Sequence, residues 1–208
     1  MANNKFNPKF GIIVLMVVAA AATRFMPHPP NFTPIGGMAL FGAAHFAKKY
    51  WAYLIPFLAL WLSDLILNNV VYSSPDGFTW ITSFGLWNFA AFGMIVFLGS
   101  NILKKINLPN IIGASVIGSL VFFLITNFGV WISGTMYTMD LNGLITCYLL
   151  AIPFFKGTFL GFICYSTFLF GALEFSKYKF PLLKDNPSCK INSPFHTRIE
   201  PLSAETVC

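Results

Sequence analysis

The chain has 208 residues, 56% of them hydrophobic and 10% charged, with a formal net charge of +6. A soluble domain is about 45–50% apolar and about 25% charged, and a chain this short cannot hide 24 phenylalanines and its other apolar surface from water. A water-soluble fold is therefore excluded, and the basic excess does not indicate nucleic acid, because the lysines flank apolar runs as orientation signals and contacts for anionic lipid.

The first apolar segment, about residues 10–26, follows Lys5 and Lys9. It mimics a signal peptide, down to the small residues at 19–22. It continues, however, into a proline-rich loop and more apolar segments, so it is expected to be a retained first helix. The loop, Pro27-His28-Pro29-Pro30-Asn31-Phe32-Thr33-Pro34, holds four prolines in eight residues. They fix extended or turn backbone. Two readings stand side by side: a preorganised lid over a pocket, which loses little entropy on ordering, or a stiff spacer. A lone loop histidine such as His28 is more often a surface residue than a ligand.

The second segment, about residues 35–47, is too short to cross a bilayer at about 1.5 Å per residue. Either it begins lower or the loop before it dips into the protein, where irregular backbone must be shielded. The third, fourth and fifth segments cover about residues 51–67, 80–103 and 111–132. The last apolar stretch, about 144–175, exceeds one span of about 20 residues. Pro153 and Lys156 divide it into a short interfacial or re-entrant piece (144–155) and a sixth span (157–175).

These segments predict an all-α polytopic membrane bundle of about six transmembrane helices in one domain, residues 1–183, followed by a flexible cytoplasmic tail, 184–208. With six crossings, Lys5, Lys9, Lys48, Lys49, Lys104, Lys105, Lys177, Lys179 and Lys184 all fall on one side. The opposite loops, about 68–79 and 133–143, hold Asp76 and Asp140 and neither Lys nor Arg. The positive-inside rule then places both termini in the cytoplasm.

Ionisable and amide side chains gather toward the other side. Arg24 closes the first helix, Asp64 lies late in the third, and Asn68 and Asn69 end it. Asn88 lies about two turns into the fourth helix, and Asn127 about one turn from the end of the fifth. Glu174 lies at the opposite end, and His45, beside Lys48, is expected at the cytoplasmic interface. Polar groups in spans face a bundle interior or a cavity, so this arrangement suggests a pocket open to the outside. Arg24 and Asp64 could instead form a buried ion pair and the asparagines could bridge helices. Small residues at Ala19, Ala20, Ala39 and Ala43 allow close helix approach, within the bundle or to a partner. No HExxH, GxSxG or P-loop is present. The four cysteines, Cys147, Cys164, Cys189 and Cys208, form no CxxC pair. No enzyme activity, cofactor or metal is expected.

The stretch from Arg24 to Pro34, followed by Ala39-Leu40-Phe41-Gly42-Ala43, resembles an uncharacterised bacterial family of six-helix membrane proteins. Leu62-Ser63-Asp64, Ile125-Thr126-Asn127-Phe128-Gly129-Val130-Trp131, and Tyr148 with Ala151-Ile152-Pro153-Phe154-Phe155 carry the same likeness, over about residues 8–180. That family is distantly similar to the substrate-binding S components of energy-coupling factor transporters. The likeness implies a multi-pass protein of the bacterial inner membrane that captures a small, micronutrient-like molecule near the outer face, under a first loop acting as a lid. Candidate binding residues are Arg24, His28, Asn31, Asp64, Asn88, Asn127, Trp131 and Tyr148. It also implies docking of a coupling transmembrane subunit, with its ATPases, through alanines four apart on the first helix. Here that area includes Ala19, Ala20 and Thr23, with Thr23 where an alanine would be expected. The rival reading is a non-transporting accessory subunit of a larger membrane complex.

Overall fold

The computed structural model describes residues 8–71, 77–81 and 83–180. Lys5, Asp76, Lys184, Cys189, Cys208 and the expected tail lie outside the described residues, as does the domain boundary at 183. The described chain forms six helices and, among those residues, no strand. Helix α1 is Pro8–Ala22 and runs into a 3-10 turn, Thr23–Phe25. Then come α2 (Ile35–His45), α3 (Lys49–Ile66) with a wider π-helical turn at Leu67–Val71, α4 (Ser83–Ile102), α5 (Leu108–Ile132) and α6 (Leu141–Lys179). Five of these helices are long and apolar enough to cross a membrane; α2, with 11 residues, is not.

Helix α2 is the centre of the bundle. Every residue from Ile35 to Gly42 is buried, with Met38, Leu40 and Phe41 packed among Val17, Phe92, Ile95, Phe162 and Leu169. Lipid tails solvate apolar side chains about as well as a protein core does, so close packing rather than water exclusion holds such helices together. Gly36 and Gly37 serve this directly: a side chain at either would collide with Phe162 or Tyr165 of α6. At its far end Phe41 meets Phe170 edge-on at 5.4 Å. Phe10 of α1 touches Phe46 and Trp51 at 5.7 and 5.6 Å. Consecutive helices thus run antiparallel, and Lys9, Lys48, Lys49, Lys104, Lys105, Lys177 and Lys179 share one end. Arg24 and the proline-rich loop share the other.

An 11-residue helix is about 16 Å long, half a bilayer. The preceding loop supplies the rest by lying along α6. Pro30's carbonyl occupies the place a side chain at Gly157 would take, and Thr33 lies against Gly161. Phe32 and Tyr165 rings sit 5.5 Å apart. Of the two sequence-based alternatives for the short second segment, the dipping loop is the one observed, and α6 shields its backbone.

One expectation is corrected. The stretch divided at Pro153 and Lys156 is a single helix, α6, of 39 residues with Pro153 inside it. Proline removes one backbone bond and crowds the preceding turn, but α6 is gripped on both sides of that point. Phe123 of α5 packs on Phe155 at 5.1 Å and Phe122 on Phe162 at 6.0 Å, while the loop holds Gly157. Asp140 caps the helix start by accepting from the Gly143 amide at 2.7 Å. Asn107 likewise caps α5, accepting from Asn110. Asn69 pins the segment after α3 by exchanging two hydrogen bonds with the backbone of Thr79, at 2.7 and 2.9 Å.

Candidate functional site

Arg24 sits in the turn ending α1 and reaches across to α3. Its Nη2 lies 2.6 Å from Asp64 Oδ1. Its Nη1 donates to Ser63 Oγ and faces the Leu60 carbonyl at 3.5 Å, while Ser63 donates its own proton to that carbonyl at 2.8 Å. A guanidinium carries five N–H protons. Nε–H and one Nη2–H have no partner among the described residues.

Arg24 lines two adjacent cavities. The first, of about 320 Å³, lies between the loop and α4, α5 and α6. Asn31 and Thr33 of the loop enter it, with Asn88 on α4, Thr126 and Asn127 on α5, and Thr158 on α6. Ile35, Phe122, Phe123, Val130, Ala151, Phe154 and Phe155 complete its apolar wall. The second, of about 550 Å³, lies between the loop and the end of α3 and is lined by His28, Asp64, Asn68 and Val71 among others. Arg24, Asn31 and Thr33 belong to both, and so form the partition. Asn31 adopts φ of 60°, a left-handed conformation that asparagine tolerates better than most residues.

The polar side chains of the first cavity are poorly used by the protein itself. Among the described residues those of Asn31, Thr33, Asn88 and Thr158 make no hydrogen bond. Asn127 and Thr126 donate only to carbonyls of their own helix, Phe123 and Phe122, each at 2.8 Å. Among the described residues, therefore, these asparagines do not bridge helices as polar glue. Helix α2 also begins here, with Pro34 at its cap and no side chain on its first amides, so the positive end of its dipole lies at this depth. The chemistry is one fixed cation, amide and hydroxyl donors and acceptors, and a phenylalanine-rich wall.

Of the eight candidate binding residues, Arg24, Asn31, Asn88 and Asn127 meet in this cavity, and His28 and Asp64 line its neighbour. Trp131 and Tyr148 stand apart, a correction to their expected place. Trp131 donates to the Thr138 carbonyl at 3.0 Å and so ties down the turn after α5. Tyr148 donates to the Leu124 carbonyl at 2.7 Å and locks α6 to α5. Both share a helix face with lining residues, Trp131 with Asn127 and Tyr148 with Ala151 and Phe155, but lie beyond the cavity, nearer the turn between α5 and α6. The sequence reading missed Thr33, Thr126 and Thr158, although the first two lie beside named asparagines. It missed the phenylalanine wall because 24 phenylalanines hide the four that line the cavity. Ser63 was also missed as the partner of Arg24.

The small-residue surfaces divide. Ala39 is fully buried and Ala43 packs on Gly99 of α4, so that pair is used inside the bundle and is not free for a partner. Ala19, Ala20 and Thr23 line a shallow groove with Phe168 and Ala172 of α6, where the Thr23 and Tyr165 hydroxyls lie 2.8 Å apart. Among the described residues no group of three or more His, Cys, Asp or Glu could hold a metal ion.

Comparison with curated proteins and with solved structures gives no match. A family model described as a family of unknown function, DUF6580, matches residues 4–183, and the chain belongs to that family.

Proposed function

We propose that this chain is an integral membrane substrate-binding protein, akin in role to the S components of energy-coupling factor transporters. It takes up a small, partly polar, anionic molecule through a pocket that opens outward. One observation carries the reading: Arg24, Asn31, Asn88 and Asn127, drawn from four parts of the chain, converge on one cavity of about 320 Å³ with much of their hydrogen-bonding capacity unspent. That volume is at the lower end for small-molecule sites.

The two unspent protons of Arg24 pair with an anionic group, while Asp64 and Ser63 hold the guanidinium in place. The asparagine amides and threonine hydroxyls bind polar substituents, and the phenylalanines cover the remainder. The loop closes over the site along α6. The lysine-rich end faces the cytoplasm of a bacterial inner membrane, so the pocket faces out. Transport then requires a coupling transmembrane subunit and ATPases, since the sequence contains no nucleotide-binding motif. The accessory-subunit reading predicts polar groups closed by internal pairs or covered by a partner, with no cavity; the cavity itself, lined by Asn88 and Thr158 without a hydrogen bond among the described residues, favours capture instead.

The test is mass spectrometry of small molecules that co-purify with the detergent-solubilised chain. One enriched anionic compound is expected, lost from Arg24→Gln. Repeated preparations with no enriched compound, or equal retention by the variant, would overturn the reading.

A further inference from the structure

Helices α3 and α4 both pack on α2 but touch each other little. Between them opens a cleft of about 550 Å³, lined by Tyr53, Leu54 and Phe57 on α3 and by Phe89 and Gly93 on α4, with Tyr50 at its mouth. Phe57 and Phe89 bridge the helices with rings 4.4 Å apart. A side chain built at Gly93 would meet no atom within 4 Å, so the cleft is open there. Its wall is almost wholly hydrocarbon.

The mouth is different. Tyr50 lies at the lysine end, one residue into α3, and Lys48 Nζ sits 5.9 Å from the centre of its ring. Neither Lys48 nor Lys49 has a carboxylate partner among the described residues, and the Tyr50 and Tyr53 hydroxyls make no hydrogen bond among them. Lys48, followed in sequence by Lys49 at the start of α3, and two phenols thus stand at the end of an apolar slot of about 10 Å along α3. A zwitterionic lipid or a neutral helix satisfies the slot but not the charges.

We propose that this cleft is a binding site for an anionic phospholipid, one acyl chain lying between α3 and α4 and the phosphate resting on Lys48 and Lys49. The tyrosines donate to the headgroup oxygens, as aromatic residues at the membrane interface do. The lipid completes the seam that the two helices leave unfilled. This site lies at the opposite end of the bundle from Arg24 and does not depend on the solute-binding reading.

The experiment is native mass spectrometry of the full chain in detergent with equal amounts of dioleoylphosphatidylglycerol and dioleoylphosphatidylcholine. The wild type is expected to retain one phosphatidylglycerol with roughly fivefold or greater preference, the factor that one lysine–anion contact supplies. Lys48→Gln with Lys49→Gln is expected to abolish the preference. Gly93→Leu, which fills the cleft without meeting a neighbour, is expected to abolish tight retention while leaving the unfolding temperature of lipid-free protein no lower. Equal retention of the two lipids by the wild type, or undiminished phosphatidylglycerol retention by Gly93→Leu, would overturn the proposal. So would a lipid-free wild-type dimer that Gly93→Leu dissociates, because the occupant would then be a second copy of the chain.

Discussion

Arg24 and Asp64 meet at 2.6 Å on the partition between the two cavities, their side chains only 12% and 20% exposed. An ion pair removed from water gains little over an apolar pair, but leaving one partner alone is costly. Asp64→Ala is therefore expected to destabilise the protein by about 2–4 kcal/mol, and Arg24→Gln to do so as well. The double variant should lose less than the sum, with a coupling energy of about 1 kcal/mol or more. Denaturant unfolding in detergent measures all three, and additive losses would show that the pair does not act as a unit.

The cavity lining separates residues that are neighbours in sequence. Asn127 lies in the cavity and Trp131, one turn on, does not. One neutral hydrogen bond is worth about 0.5–1.5 kcal/mol. Asn127→Ala and Asn88→Ala should therefore weaken ligand binding by roughly two- to tenfold each. Trp131→Phe and Tyr148→Phe should leave the dissociation constant within about twofold, because what they lose are hydrogen bonds to the backbone carbonyls of Thr138 and Leu124. Isothermal titration with the co-purifying compound makes the comparison. Equal losses at all four positions would contradict the assigned lining.

The loop's seat on α6 depends on the absence of one side chain. At Gly157 any Cβ would strike the Pro30 carbonyl, whereas at Gly171 it would meet nothing within 4 Å. Gly157→Val is expected to lift the loop from α6, raising amide exchange across residues 31–33 and weakening ligand retention. Gly171→Ala, in the same helix, is expected to be neutral or stabilising by up to about 1 kcal/mol. Unchanged exchange in Gly157→Val would show that the loop is held elsewhere.

The sequence carried the helices more plainly than the way they are used. Apolar runs located α1 to α5 to within a few residues, because lipid demands long, uncharged segments. Pro153 misled, since a proline that breaks an isolated helix survives where Phe123, Phe122 and the Pro30 carbonyl hold the turns around it. Arg24, Asn88 and Asn127 were legible because polar side chains are rare in such segments, whereas Asn31, in the loop, came only with the family resemblance. Trp131 and Tyr148 were drawn in by proximity in sequence, but they lie nearer the α5–α6 connection than the residues that line the cavity. The burial of α2 was half legible: its glycines and alanines announced close packing but not that the other five helices would surround it.

Asp140 gives the fold a dependence on acidity that is open to measurement. It lies outside the spans, before α6, where its carboxylate accepts from the Gly143 amide at 2.7 Å and from the Thr138 hydroxyl at 2.8 Å. The amide bond first, and the hydroxyl second, hold the Asp140 carboxyl below its ordinary value. Because the folded value lies below the unfolded one of about 3.9, the stabilisation is complete above about pH 4–5 and is lost as pH falls through the folded value. Asp140→Ala should lower the Tm at pH 7 and loosen the first turn of α6, while Asp140→Asn, which keeps a capping oxygen, should lower it less. The gap in Tm between wild type and Asp140→Ala should stay constant from pH 7 to 5 and narrow toward pH 3 as the wild-type carboxylate takes up its proton. A gap that persists unchanged to pH 3 would mean that the charge contributes nothing to the cap and that the oxygen's geometry alone sustains it.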